Sequence, residues 1–284
     1  MTWLCIALVV IILLELWFLA IQCRRNHPFM KTLRTFRYAH RGLHDKPTIP
    51  ENSMAAFRRA LDNFYGVELD VHLMSDGNLA VIHDASLLRT AGVDVAIEDL
   101  TVADLKQYRL EGTEERIPLL GEVLALFEGR APIIVELKAE RGNHDALTAA
   151  AVEELDKYRV AYCIESFDPR CLMWLKRNRD EIVRGQLSEK FLRHGDGGKQ
   201  SKFVLWMLGN LLTNFLARPD FIAYRFSDRK CLAVKLCRTL YRVAEFSWTI
   251  TSRREMQEAE GAGCTVIFEQ FDPYGKESEL RIGT

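Results

Sequence analysis

The 284-residue chain has no Cys-x-x-Cys pair, no Gly-x-Gly-x-x-Gly, and no basic tract interleaved with aromatics. Its seven cysteines, at 5, 23, 163, 171, 231, 237 and 264, are odd in number and scattered. That spacing speaks against a disulfide framework or a thiolate zinc site and for reduced, mostly buried thiols in a reducing compartment. Without the glycine fingerprint a dinucleotide-binding sheet loses its main support. A net charge of −1 offers a polyanion no attraction, so nucleic acid is set aside as a partner. With 48 % hydrophobic and 27 % charged residues the chain is globular and able to bury a core, as one large domain or two smaller ones.

One long apolar run is present, Trp3 to Gln22. It is long enough to cross a hydrocarbon core of about 30 Å. A cleavable signal peptide needs a basic start and a small-residue cleavage site, and neither is there, so residues 1–22 are expected to be an uncleaved single-pass anchor. Glu15 inside the run is costly if ionised, which favours a protonated or oligomer-paired carboxyl. Arg24, Arg25, Lys31, Arg34 and Arg37 follow the run and nothing basic precedes it, which places the remainder in the cytoplasm. Residues 23–35 are expected to be a basic linker able to lie along an anionic leaflet.

Val67 to Asp84 places two alternating apolar runs on either side of Asp76-Gly77, a strong hairpin signal because both central residues tolerate positive φ. If Ser75 pairs with Asn78 across a two-residue turn, Asp70 stands opposite His83 and Glu68 shares the face of Asp70. Buried carboxylates repel unless a cation lies between them, and an imidazole beside a divalent ion is placed to move protons. A surface hairpin with solvated charges is the other reading.

The remaining pattern alternates strands with helices. Strands are expected at 36–39, 67–71, 133–137, 162–167, 181–186, 221–226, 244–249 and 265–268. Helices are expected at 54–63, 145–157, 169–178, 228–242 and 252–260, and Ser53 is a candidate cap for the first of these. Residues 85–121 sustain neither pattern and read as an insertion. Eight βα units predict a closed (β/α)8 barrel over 36–284, interrupted by an insertion at about 73–120 after the second strand. Such a barrel keeps its chemistry at the C-terminal strand ends. The polar residues gather there: His40 and Arg41, Glu68 and Asp70, Glu136 and Lys138, Trp248. Other strand interiors are expected to be Val, Ile, Leu and Phe.

The ordered motifs His40-Arg41-Gly42, Pro50-Glu51-Asn52-Ser53, Glu68-Leu69-Asp70-Val71, Ser75-Asp76-Gly77, His83-Asp84, Arg89-Thr90, Arg116-Ile117-Pro118, Glu136-Leu137-Lys138, Ser166-Phe167 and Trp248-Thr249 resemble the glycerophosphodiester phosphodiesterase family over about residues 37–273. The resemblance implies a (β/α)8 barrel with an insertion after the second strand. It also implies hydrolysis of glycerophosphodiesters to an alcohol and glycerol 3-phosphate. On this resemblance His40 and His83 are the acid/base pair, and Glu68, Asp70 and Glu136 hold a divalent cation. Oxygen-only ligands suit Mg²⁺ or Ca²⁺. Arg41 and Lys138 would bind phosphate, and Trp248 would wall the glycerol or belong to the core. Glu51 is either a further ligand or a holder of glycerol hydroxyls. His44 and His72 match no catalytic position and read as a loop residue and an outward strand residue.

Thr251 and Glu269-Gln270 depart from the family pattern and leave substrate contacts there undefined. The chain ends soon after the eighth strand, so the last outer helix is expected to be short or missing, with the linker covering the gap. Phe203 to Ala217 is a dense apolar run, either the fifth outer helix or an interfacial helix that favours lysophospholipids. A catalytically inactive, membrane-tethered binding module is the reading from a different class.

Overall fold

Ile133-Ile134-Val135-Glu136-Leu137 is buried at every position, which is what a strand covered on both faces requires. Among the described residues nine strands form: β1 (Tyr38–His40), β2 (Gly66–Leu73), β3 (Leu79–Val81), β4 (Ile133–Leu137), β5 (Tyr162–Ser166), β6 (Arg184–Ser188), β7 (Phe221–Arg225), β8 (Ala244–Ile250) and β9 (Thr265–Phe268). All but β3 are parallel, and β1 pairs with both β2 and β9, which closes an eight-stranded barrel. The structure is a computed structural model that describes residues 2–195 and 200–275. Positions 276–284 of the expected barrel and the middle of the polar loop 193–202 lie outside the described residues.

The helices are α1 (Thr2–Ala20), α2 (Met30–Leu33), α3 (Met54–Asp62), α4 (Leu88–Ala91), α5 (Val102–Leu105), α6 (Leu120–Phe127), α7 (His144–Leu155), α8 (Pro169–Asn178), α9 (Phe191–His194), α10 (Lys202–Gly209), α11 (Asn214–Ala217), α12 (Leu232–Leu240) and α13 (Arg253–Gly261). Local chemistry starts several of them. Ser53 accepts from the Ala56 amide, Asp168 caps α8 ahead of Pro169, and Ser252 caps α13. Ala56, Phe57 and Ala60 form the buried face of α3. The α1 segment Trp3–Ala20 has mean hydropathy 2.7 and is long and apolar enough to cross a membrane, a property that a signal sequence shares.

Four expectations change. The hairpin turns through three residues, with Met74 bonded to Asn78 and Gly77 at φ +83°, so the register shifts by one. Asp70 therefore faces Ile82, which donates to its carbonyl at 3.0 Å, and His83 lies beyond the end of β3. The excursion is a folded lobe with its own core of Met74, Ile82, Leu87, Ile97 and Leu105, and α6 closes it as an outer barrel helix.

The linker is fixed to the barrel rather than free. Arg24 forks onto Asp220 at 2.5 and 2.7 Å, and Met30 and Leu33 plug the N-terminal end of the barrel against Tyr38, Phe221 and Phe246. It thus closes the barrel floor instead of filling a missing outer helix. Finally, Phe203–Ala217 is two short helices, α10 and α11, because Leu211 at φ +59° breaks the run. Among the described residues no helix follows β9; Tyr274 stacks on Tyr65 there, with ring centroids 5.1 Å apart.

Candidate active site

Parallel pairing delivers the strand ends to one rim, and register decides which side chains become neighbours. His40 is level with Glu68 across β1 and β2, while Asp70, Glu136 and Glu165 are level across β2, β4 and β5. They line or underlie a cavity of about 1550 Å³ that also receives Arg41, His44, Glu51, His83, Lys138, Trp248 and Glu269. At the end of β1, Arg41 at φ +57° and Gly42 at φ +80° turn the chain sharply. Gly42 is required there, since a Cβ would lie 2.8 Å from that of Ala56.

Each histidine is held by a carboxylate. His40 Nδ1 is 2.7 Å from Glu269 Oε2, and His83 Nδ1 is 2.6 Å from Asp84 Oδ1. An Nδ1–H donated to the acid leaves Nε2 as the ring nitrogen outside that bond. Burial and the adjacent Arg41 charge lower the His40 pKa below the usual imidazole value, which favours the neutral ring. Burial works against the Glu269 charge, but the hydrogen bond from His40 and the nearby His44 ring outweigh it and hold the carboxyl well below the usual range. The hydrogen bond from His83, with Arg89 beside it, does the same to Asp84.

Glu68, Asp70 and Glu136, all buried, each offer an oxygen within 4.8 Å of the others. Lys138 Nζ sits 2.9 Å from Asp70 Oδ1 and 2.6 Å from Glu136 Oε1, and Arg41 Nε is 3.3 Å from Asp70 Oδ2. Glu68 Oε1 has no hydrogen-bond partner among the described residues. Burial and the charges of Asp70 and Glu136 push the Glu68 pKa well above the carboxylate range. Burial also opposes the Asp70 charge, yet Lys138, His83 and Arg41 hold that group well below its ordinary value. Three buried carboxylates against Lys138 and Arg41, with one Glu68 oxygen left unpartnered, form an oxygen-only cluster that fits a divalent cation.

The other sequence-selected residues fall around this cluster. Glu51 accepts from Arg41 at 2.8 Å and from Arg89 at 2.6 Å, with Lys46 3.4 Å away. Burial alone would raise its pKa, but the two guanidiniums bring it down to about 2. Its oxygens are thus engaged in holding Arg41 rather than free. The Trp248 ring meets Phe167 edge-on, with centroids 5.7 Å apart, on the cavity wall.

His44 is in a loop, as its sequence context suggests, whereas His72 is not the outward strand residue expected. His44 lines the cavity 3.9 Å from Glu269. His72 is 1 % exposed, with Nε2 bonded to the His83 carbonyl, because the hairpin folds back over it.

Three residues beside these groups were missed. Asp84 follows His83 directly, Glu269 stands at a departure from the family pattern, and Glu165 alternates onto the face of Phe167, so each had a local signal. Glu165 also shows that strand interiors are not uniformly apolar. It is buried with Oε2 unpartnered, and Arg184, Gln186 and Glu245 are buried as well.

Residues 40–271 match the model of the glycerophosphoryl diester phosphodiesterase family. The chain belongs to that family. A glycerophosphodiester phosphodiesterase of Caldanaerobacter subterraneus subsp. tengcongensis is 37 % identical over 165 residues, 55 % of this chain and 67 % of that one. A lysophospholipase D of Rattus norvegicus is 35 % identical over 122 residues, 38 % of each chain. The chain thus spans two thirds of the first relative and far less of the second. The barrel resembles that of an Oleispira antarctica phosphodiesterase solved with the product sn-glycerol-3-phosphate, with TM-score 0.69, 22 % identity, and coverage of 87 % of this chain and 95 % of that chain. As a family member the chain is a phosphoric diester hydrolase built on a (β/α)8 barrel.

Proposed function

We propose that the chain hydrolyses glycerophosphodiesters to glycerol 3-phosphate and an alcohol, with His40 and His83 as the acid/base pair. One observation carries the reading: two imidazoles, each held at Nδ1 by a carboxylate, open onto a single cavity with a three-carboxylate cluster. His40, neutral and anchored by Glu269, takes the proton of the attacking hydroxyl at Nε2. His83, anchored by Asp84, returns a proton to the leaving alkoxide. Arg41 and Lys138 bind phosphoryl oxygens and offset the charge that builds on them. Glu51 and Arg89 keep the Arg41 fork in place, and Trp248 with Phe167 forms the apolar wall for the glycerol carbons. Glu68, Asp70 and Glu136 would hold Mg²⁺ or Ca²⁺, which when bound supplies Lewis-acid neutralisation of a phosphoryl oxygen.

α1 is read as a membrane anchor with the barrel in the cytoplasm, residues 1–22 spanning, 23–35 joining and 36 onward forming the barrel. The linker is stapled to the barrel floor, where β6 and β7 begin, whereas the cavity lies at the opposite strand ends. That separation favours soluble glycerophosphodiesters. A second reading, hydrolysis of lysophospholipids, is supported by the resemblance to a lysophospholipase D and by α1 itself.

The decisive assay compares glycerophosphocholine with lysophosphatidylcholine, using purified full-length protein with and without a chelator. Release of glycerol 3-phosphate from the first substrate, lost on chelation, is the expected result. Turnover of the second alone replaces the soluble reading with the lipid one, and no turnover of either leaves the inactive binding module.

A further inference from the structure

A second hollow, of about 370 Å³, opens at the barrel floor, where the chain leaves α1. Its walls carry Arg24, Arg25, Lys176, Arg184 and Arg218 against one acid, Asp180. Arg24 is matched by Asp220, but Asp180 is shared, 3.2 Å from Arg24 and 3.0 Å from Arg184. Among the described residues Lys176 Nζ finds only backbone carbonyls, with Leu216 O at 2.7 Å. Arg25 donates to the Leu240 carbonyl, and neither it nor Arg218 has an acidic partner among the described residues. Five cations thus face two carboxylates. Burial and cationic neighbours lower the pKa of both Arg184 and Lys176, as an unneutralised cluster should.

A phosphate group answers such a cluster, because its oxygens accept from several guanidinium forks at once. The position of the hollow indicates which phosphate. Its wall begins at Gln22, directly after the apolar helix that ends at Ala20, so with α1 across a bilayer the hollow sits at headgroup depth. Phe215, whose carbonyl lies 3.5 Å from Lys176 Nζ, and Leu240, which bonds Arg25, are 48 % and 44 % exposed beside it. Exposed apolar side chains bordering a cationic hollow suit a leaflet surface better than bulk water.

We propose that this hollow binds the phosphate headgroup of an anionic phospholipid and so seats the barrel on the leaflet with the active-site mouth turned away. The proposal rests on α1 spanning the membrane. Its test uses full-length protein in nonionic detergent, with diacyl phosphatidylglycerol and phosphatidylcholine as probes in native mass spectrometry. At least a tenfold preference for phosphatidylglycerol is expected, lost in the double variant Arg25→Gln/Arg218→Gln. Turnover of glycerophosphocholine should be unchanged in that variant, since both positions lie at the far end of the barrel.

Equal retention of the two lipids overturns the proposal, as does a preference that survives the double variant. Displacement of phosphatidylglycerol by millimolar inorganic phosphate assigns the hollow to a free anion and overturns the lipid claim. Alkaline extraction of membranes tests the anchor separately. Release of the protein rejects the span and the proposal with it, whereas retained protein without lipid preference rejects only the headgroup site.

Discussion

His40 Nδ1 and Glu269 Oε2 meet at 2.7 Å across the seam where the first and last strands close the barrel, 229 positions apart in the chain. The carboxylate fixes the tautomer of the ring and raises its proton affinity, while burial and Arg41 lower it.

Replacing either His40 or His83 with alanine should reduce kcat by about 10²–10⁴-fold with the fold intact. Glu269→Gln should reduce kcat by about 10²-fold or more and leave KM little changed. Because Glu269 raises the His40 pKa, its loss should also shift the acid limb of kcat/KM to lower pH. Steady-state kinetics across pH check both effects, and an unmoved limb would mean that Glu269 only shapes the rim.

Glu68→Gln removes one of three crowded carboxylates. Without a cation the variant should be more stable than the parent, because the like-charge and burial costs at Glu68 are relieved. It should also lose most of the thermal stabilisation that Mg²⁺ or Ca²⁺ confers on the parent. Thermal melts with chelator and with added cation read the two changes separately, and a variant still fully stabilised by cation would detach Glu68 from the site.

Glu51 provides a pH test of the Arg41 clamp. Its pKa is about 2 in the folded chain and near the ordinary 4.5 when unfolded. The unfolded chain therefore binds the extra proton between those values. The stabilisation from this ionisation, about 3 kcal/mol at most, is complete above pH 4.5 and fades as pH falls toward 2. Glu51→Gln should be destabilised at pH 7, and the gap from the parent in denaturant unfolding should narrow only below about pH 4.5.

Gly185 lies on β6 with the Phe221 ring where a Cβ would go, 2.1 Å from the nearest ring carbon. Phe221 is fully buried in the barrel floor among Tyr38 and Phe246 and has nowhere to move. Gly185→Ala should therefore cost about 1–3 kcal/mol or more in chemical denaturation. A neutral effect would show the floor to be loosely packed.

Much of this protein is legible from local pattern. The strand at 133–137 opens on three β-branched residues in a row, Ile133, Ile134 and Val135, and the strand at 265–268 and the helix at 169–178 end where their apolar period ends. His40, Glu68, Asp70 and Glu136 stand out because polar groups are costly on strands otherwise made for burial, and His83 because it follows such a strand.

What the chain could not disclose depends on contacts between distant segments. The hairpin slipped by one residue because Gly77 takes the left-handed position of a three-residue turn, a choice that Asp76-Gly77 leaves open. Glu269 became the partner of His40 only through barrel closure, and Glu51 became a clamp only when Arg89 arrived from the lobe. The linker, basic and short, looked free until Arg24 met Asp220, 196 positions later. Sequence alone determined which residue types form strands, helices and a polar rim, since those preferences act over a few neighbours. Which carboxylate holds which cation, and which end of the barrel carries the apolar helix α1, only the tertiary structure decided, because such pairings depend on distances that closure of the barrel sets.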